Sequence, residues 1–236
     1  ARNLSIQLPK LIKEEQKLNS VCRIMGKTLW LYVPPEDLLD KKDLSWSEKG
    51  LLKMGQVISI VHRAILSTDA QLDFVIIIFS DVKKFGVRLI NYEYIPDIKE
   101  AMFERFSRGE FFKRSIKDVT VVPEAIGDLT GDSVEYYDMT FDHFLGLQVV
   151  HRTKNFFLKD KTLSRLFELK SISQTEKFGT IKIDMEFMRK SYIITPEEEK
   201  INPLDYVTQI AAQVAKNYNY RDLQGFELKD SFSGET

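Results

Sequence analysis

VCRIMGKTLWLYV, residues 21–33, is the stretch on which the fold turns. Two short runs rich in β-branched and aromatic residues flank Gly26-Lys27. A two-residue turn with glycine first fits the type II′ geometry, whose twist matches that of paired strands. The second run, TLWLYV, stops at Pro34-Pro35, which cannot continue a ladder. A hairpin is therefore expected. Downstream, Ser45 and Glu48 read as a capping box heading a helix over 48–66. There Leu51, Met54, Ile58, Val61 and Ile65 recur at three- and four-residue spacing, with Val57 and Ala64 widening the stripe. FVIIIF at 74–79 is apolar without alternation, as in a central strand covered on both faces. Residues 87–94 follow as its antiparallel neighbour.

The same order returns near the other end. Residues 166–171 and 180–188 read as strands joined by a turn ending in Gly179. A helix over 203–217 and a strand over 223–229 complete the set. Ile181, Ile183, Met185 and Phe187 alternate with Lys182, Asp184 and Glu186, giving one core face and one wet face. Asn202-Pro203 with Asp205 in the first turn marks the helix start. The class implied is α+β: two small α/β sandwich units, each strand-strand-helix-strand, with mainly antiparallel sheets and a helical segment between them. One continuous sheet built by both units is the rival.

Between the units, 97–106 and 110–116 look helical. Residues 121–138 read as loop with a short strand at 133–137, and Thr140 caps a helix reaching 157. Residues 8–18 favour a short helix with Pro9 in its first turn. The resulting division is 1–18 tether and helix, 19–94 first unit, 95–164 bridge, 165–230 second unit, and 231–236 frayed tail.

Composition narrows the classes of function. With 43% hydrophobic and 29% charged residues, the chain is globular, and its net charge of −1 supplies no global field toward nucleic acid. No apolar run is long enough for a transmembrane helix. The single cysteine, Cys22, excludes an intrachain disulfide and a Cys-rich metal site, and reads as a small buried apolar residue. His143 and His151 share one helix but stand about 12 Å apart along its axis. They cannot ligate one ion, and His62, beside a core stripe, reads as structural. Neither metal nor cofactor is expected. Residues 128–135 space oxygen side chains faintly like a calcium loop, but Met139 occupies the place of the closing carboxylate, so a solvated turn is expected.

The candidate polar sites are few. Asp81 ends the apolar strand, where α/β folds often place ligands; otherwise it caps the next turn. Gln148 and Arg152 fall within the apolar stripe of Phe141, Phe144, Leu145, Val149 and Phe156. A guanidinium there needs a carboxylate or a bound anion, and Asp81, Asp97 and Asp138 are the carboxylates considered. The run at 103–117 interleaves Arg105, Arg108, Lys113, Arg114 and Lys117 with phenylalanines, a composition suited to polyanions, and Arg105, Arg108, Lys113 and Arg114 are the binding candidates within it. Glu104 and Glu110 dilute that patch. No phosphate loop, nucleophile elbow or His-Glu helix motif occurs.

The expectation is a non-catalytic binding or assembly protein with a protein partner, recruited by strand addition at a sheet edge. One alternative is a hydrolase or transferase acting through Asp81, Gln148 and Arg152. The other is a polyanion-binding module using 103–117. The start at Ala1 without methionine and the polar leader favour a cell-envelope setting with lipid-tethered or peripheral membrane association over a cytoplasmic one.

Overall fold

The computed structural model describes residues 2–36, 38–40, 45–177, 179–190, 195–218, 220 and 222–231. The chain is α+β and falls into two compact units, Ala1–Met139 and Thr140–Thr236. Residues 95–139 thus belong with the first unit and 140–164 with the second. The expected frayed tail lies, from residue 232 onward, outside the described residues. Among the described residues the strands form two separate sheets, not one.

In the first unit, β1 (Val21–Met25) and β2 (Thr28–Val33) form the expected hairpin. Gly26, at φ +55°, takes the left-handed turn position. Helix α2 (Glu48–Leu66) then carries the chain to β3 (Phe74–Ser80), which pairs parallel to β2. A parallel neighbour requires such a crossover. The N-cap is Ser47, whose hydroxyl accepts from Gly50 N at 2.8 Å, and not Ser45. Residues 45 and 46 are held extended by a bridge between Leu39 and Trp46 and by the bond from Asp40 N to Ser45 O. The sheet continues antiparallel through β4 (Val87–Tyr94) to β5 (Ile116–Val121). Between β4 and β5 lie two short helices, α3 (Ile95–Met102) and α4 (Arg108–Arg114).

Both β2 and β3 are buried throughout. On one face Leu29, Leu31, Val75 and Ile77 join a core with Val57 and Val61 of α2. Helix α1 (Arg2–Gln16) adds Leu4, Leu8 and Ile12 to it. That stripe, repeating every four residues, extends the helix upstream of the expected start at residue 8 and leaves Pro9 in its interior.

The opposite face is closed by residues 122–139, which hold one 3-10 turn, Pro123–Ala125, and no α-helix. Trp30 Nε1 donates to Tyr137 O at 2.8 Å, and Tyr32 OH donates to Asp128 O at 2.7 Å. Within the expected solvated turn Thr130, Asp132 and Glu135 are exposed, whereas the Asp128 side chain and Gly131 are folded inward. The Asp128 carboxylate accepts the backbone N–H groups of Thr130, Gly131, Asp132 and Ser133, so the loop's polar groups are satisfied as it covers the sheet. Gly131 has φ +73°, and a side chain there would collide with Tyr136 and Tyr32. The short strand expected at 133–137 does not form, because Tyr136 OH turns back to donate to Gly131 O at 2.9 Å. Residue 116, expected to end a helix, opens β5 instead. With Asp118 and Thr120 rather than aliphatic residues on its less exposed side, this edge strand lacks the usual apolar alternation.

In the second unit, β6 (Phe167–Lys177) pairs antiparallel with β7 (Thr180–Arg189), with a bulge between Leu169 and Ser171. Two short helices, α6 (Lys161–Leu166) before β6 and α7 (Pro196–Glu199) after β7, flank this pair, and helix α8 (Pro203–Tyr218) crosses to β8 (Gly225–Asp230), which lies parallel to β7. The order of directions, antiparallel then parallel, is that of β1-β2-β3. Helix α5 (Phe141–Lys159), capped by Thr140, packs beside α8 against Ile181, Ile183, Met185 and Phe187. Lys182, Asp184 and Glu186 line the wetter face, as the period of two requires.

Candidate functional site

Alternation along β4 places Leu89, Asn91 and Glu93 on the face that α2 covers, opposite Phe79, Ile77 and Val75 of β3. Beyond α2, at the β4–β5 end of the sheet, only the short helices α3 and α4 flank this face. The result is a cleft of about 620 Å³. Its walls are mainly apolar, with Met54 and Ile58 from α2, Leu89 from β4, and Ile98 and Phe111 from the short helices. Gly55 also lines it. A side chain added at Gly55 meets nothing within 4 Å, so the glycine leaves open space in the middle of a helix wall.

A polar cluster is set into these apolar walls. His62 Nε2 and Glu93 Oε2 are 2.7 Å apart, and Asn91 Nδ2 donates to Glu93 Oε1 at 2.8 Å. Asn91 is 1% exposed and Glu93 3%. Burial of an acid this deep is tolerable because both carboxylate oxygens are engaged. The ring of Phe111 stands edge-on to the imidazole, with centroids 6.0 Å apart. Asn91 Oδ1 has no hydrogen-bond partner. Ser59 lines the same cleft one turn before His62, without a hydrogen bond to it. Arg108 and Lys117 bring positive charge to the lining, and Lys117 Nζ lies 4.7 Å from the centroid of the exposed Phe112 ring.

The residues singled out from the sequence fall elsewhere, with one exception. Asp81 is buried and accepts from the backbone N–H groups of Lys83, at 3.2 Å, and Phe85, at 2.8 Å; it holds the turn between β3 and β4. Gln148 and Arg152 belong to the second unit, where Arg152 Nε donates to Gln148 Oε1 at 3.0 Å. Asp97 and Asp138, considered as partners for Arg152, accept from Arg114 and from Lys27 N and Thr28 within the first unit. Arg105 pairs with Glu100 at 2.9 Å. Arg114 pairs with both Asp97 and Glu110 and lies over Phe106. Lys113 is exposed on α4. Of the four basic candidates Arg108 alone lines the cleft, together with Lys117 from the end of the same run.

The signals for the cleft were present but faint. Asn91 and Glu93 share a parity inside an otherwise apolar-facing strand, and His62 stands at the edge of the α2 stripe. Among the described residues no group of three or more His, Cys, Asp or Glu is arranged to hold a metal ion. Burial pushes the Cys22 thiol up to about 12, which leaves it a poor nucleophile near neutrality. No helix among the described residues is long and apolar enough to cross a membrane. No family model, curated protein or solved structure matches the chain.

Proposed function

We propose that this protein is a non-catalytic binding module whose ligand seat is the apolar cleft of the first unit. The observation that carries this reading is Gly55. A glycine inside a helix costs about 1 kcal/mol relative to alanine. Here it has neither a positive φ nor a close neighbour to require it. What it leaves is room in the cleft wall. The cleft's size and its mix of apolar lining with a few convergent polar groups are those of small-molecule sites.

The test is titration of the full chain with the fluorescent apolar anion anilinonaphthalene sulfonate. Saturable binding is expected, weakened at least tenfold in Gly55→Trp, with helix content and unfolding midpoint retained. Equal binding by both proteins would overturn the reading.

A second reading, hydrolysis or group transfer, draws on His62 and Glu93, since a carboxylate that orients an imidazole is half of an acid–base device. Ser59 is the nearest hydroxyl in the lining. Turnover of activated esters lost in both His62→Ala and Ser59→Ala would favour it over simple binding.

A further inference from the structure

Asn91 fixes the chemistry that the cleft can accept. Its amide nitrogen donates to Glu93 Oε1 at 2.8 Å, and since the other carboxyl oxygen, Oε2, is engaged by His62 Nε2, Oε1 is left to accept. The amide therefore cannot be flipped without setting oxygen against oxygen. Its Oδ1 is thereby left as a buried acceptor without a donor, in a residue that is 1% exposed and lines the cleft. An orphan of this kind is costly in an apolar setting and calls for an N–H or O–H from outside the protein.

The second constraint is charge. Lys117 is the direct partner of Asn91 across the β4–β5 ladder, so the two side chains leave the same face. Such pairs hold their Cβ atoms roughly 5 Å apart. Among the described residues Lys117 is held only over the Phe112 ring, and Arg108 has no acidic partner. Glu93, the acid of the lining, is already engaged by His62 and Asn91.

We infer that the cleft takes an acyl-chain carboxylate whose head also bears a hydroxyl or amide N–H a few bonds from the carboxylate. This rests on the reading of the cleft as a ligand seat. The chain lies along Met54, Ile58 and Leu89, the donor meets Asn91 Oδ1, and the carboxylate meets Lys117 and Arg108. Hydroxy fatty acids and N-acyl amino acids have this head; plain fatty acids do not.

Two matched pairs test it on the unaltered full chain, by displacement of anilinonaphthalene sulfonate below micellar concentrations. They are 3-hydroxydecanoate against decanoate, and N-decanoylglycine against N-decanoylsarcosine, which lacks the N–H. The donor-bearing member of each pair is expected to compete about tenfold more strongly, the worth of one buried hydrogen bond. In Lys117→Gln and Arg108→Gln every acid should weaken several-fold and lose part of its salt dependence, while the preference within each pair persists. Equal competition within both pairs, with all ligands still excluded by Gly55→Trp, would overturn the inference and leave the cleft a general apolar seat. Failure of every probe to bind the unaltered chain would overturn both readings together.

Discussion

Arg88 and Asp128 face each other at 3.7 Å beneath the segment that closes the second face of the first sheet, each side chain only 7% exposed. Arg88 also bonds the Ser133 hydroxyl and carbonyl, so strand β4 and the covering segment share one polar joint. Removing one member of a buried pair leaves the other charged and unsolvated. Asp128→Ala additionally strips four backbone N–H groups of their acceptor. A loss of about 3 kcal/mol or more is expected from urea unfolding, together with loss of the near-ultraviolet signal of Trp30, which packs against Tyr136 and Tyr137.

The same carboxylate has a pH signature. Burial alone would raise its pKa, but the hydroxyl and N–H of Ser133 and the N–H groups of Asp132 and Gly131 outweigh that and bring it down to about 2, from an ordinary 3.8. A depressed acid stabilises the fold fully above its unfolded value and loses that contribution as pH falls through the folded value. Acid unfolding followed at the Trp30 signal should therefore retain a component between about pH 4 and pH 2. In Asp128→Asn that component should be missing; an identical acid limb in both proteins would disprove the assignment.

Gly55→Ala offers a smaller change in the opposite direction. The position is mid-helix, has ordinary backbone geometry, and has no atom within 4 Å of a new Cβ. Stabilisation by about 0.5–1 kcal/mol is expected in chemical denaturation. Binding of the apolar probe should weaken modestly at the same time. A destabilised Gly55→Ala would mean that the glycine meets a structural need and would remove the main support for the cleft as a ligand seat.

The elements legible beforehand were those whose burial follows a period. The α2 stripe from Met54 onward, the unbroken FVIIIF strand and the alternation of β7 each describe their own surroundings, because an apolar side chain reports the face it must hide. Leu51, expected in the stripe, is instead exposed on the first turns of the helix. Strand β5 and the 122–139 segment were not legible. Their order comes from long-range polar contacts, such as Asp128 with Arg88 and Trp30 with Tyr137, which have no period in sequence. The cleft was hidden for a related reason. Asn91, Glu93 and His62 are ordinary residues until the pairing of β4 beneath α2 brings 62 and 93 together. Arg108 and Lys117 both stand out in the sequence by their charge, yet only the register of Lys117 with Asn91 ties that charge to the polar cluster of the cleft.

The His62–Glu93–Asn91 cluster should behave as one unit. Glu93→Leu leaves the Asn91 amide and the imidazole without their shared acceptor, while His62→Leu leaves Glu93 with the amide alone. Each single change is expected to cost about 1–3 kcal/mol. In the double change the penalties should fall short of additive by about 1 kcal/mol or more, the mark of directly coupled residues. Additive losses in the double-mutant cycle would show that the 2.7 Å contact contributes nothing to stability.

The second unit holds the opposite electrostatic case. Asp142, in the first turn of α5, has its pKa raised above 3.8, first by burial and then by the nearby charges of Glu176 and Asp222. One of its oxygens, Oδ1, is buried without a partner. A raised acid binds more protons in the folded than in the unfolded state between the two pKa values, so stability falls as pH rises through that window. The penalty is present in full at neutral pH and is relieved on acidification. Asp142→Asn removes the charge while keeping the shape, and gives up only the modest benefit of an acid at a helix start. A gain of roughly 0.5 kcal/mol is expected at pH 7, read as a higher midpoint in thermal unfolding of the full chain. Near pH 3, where the native carboxyl is already protonated, the advantage should vanish. A variant less stable than the parent at pH 7, or an advantage that persists unchanged into acid, would show that Asp142 acts as a helix-start acid and not as a member of a repelling trio.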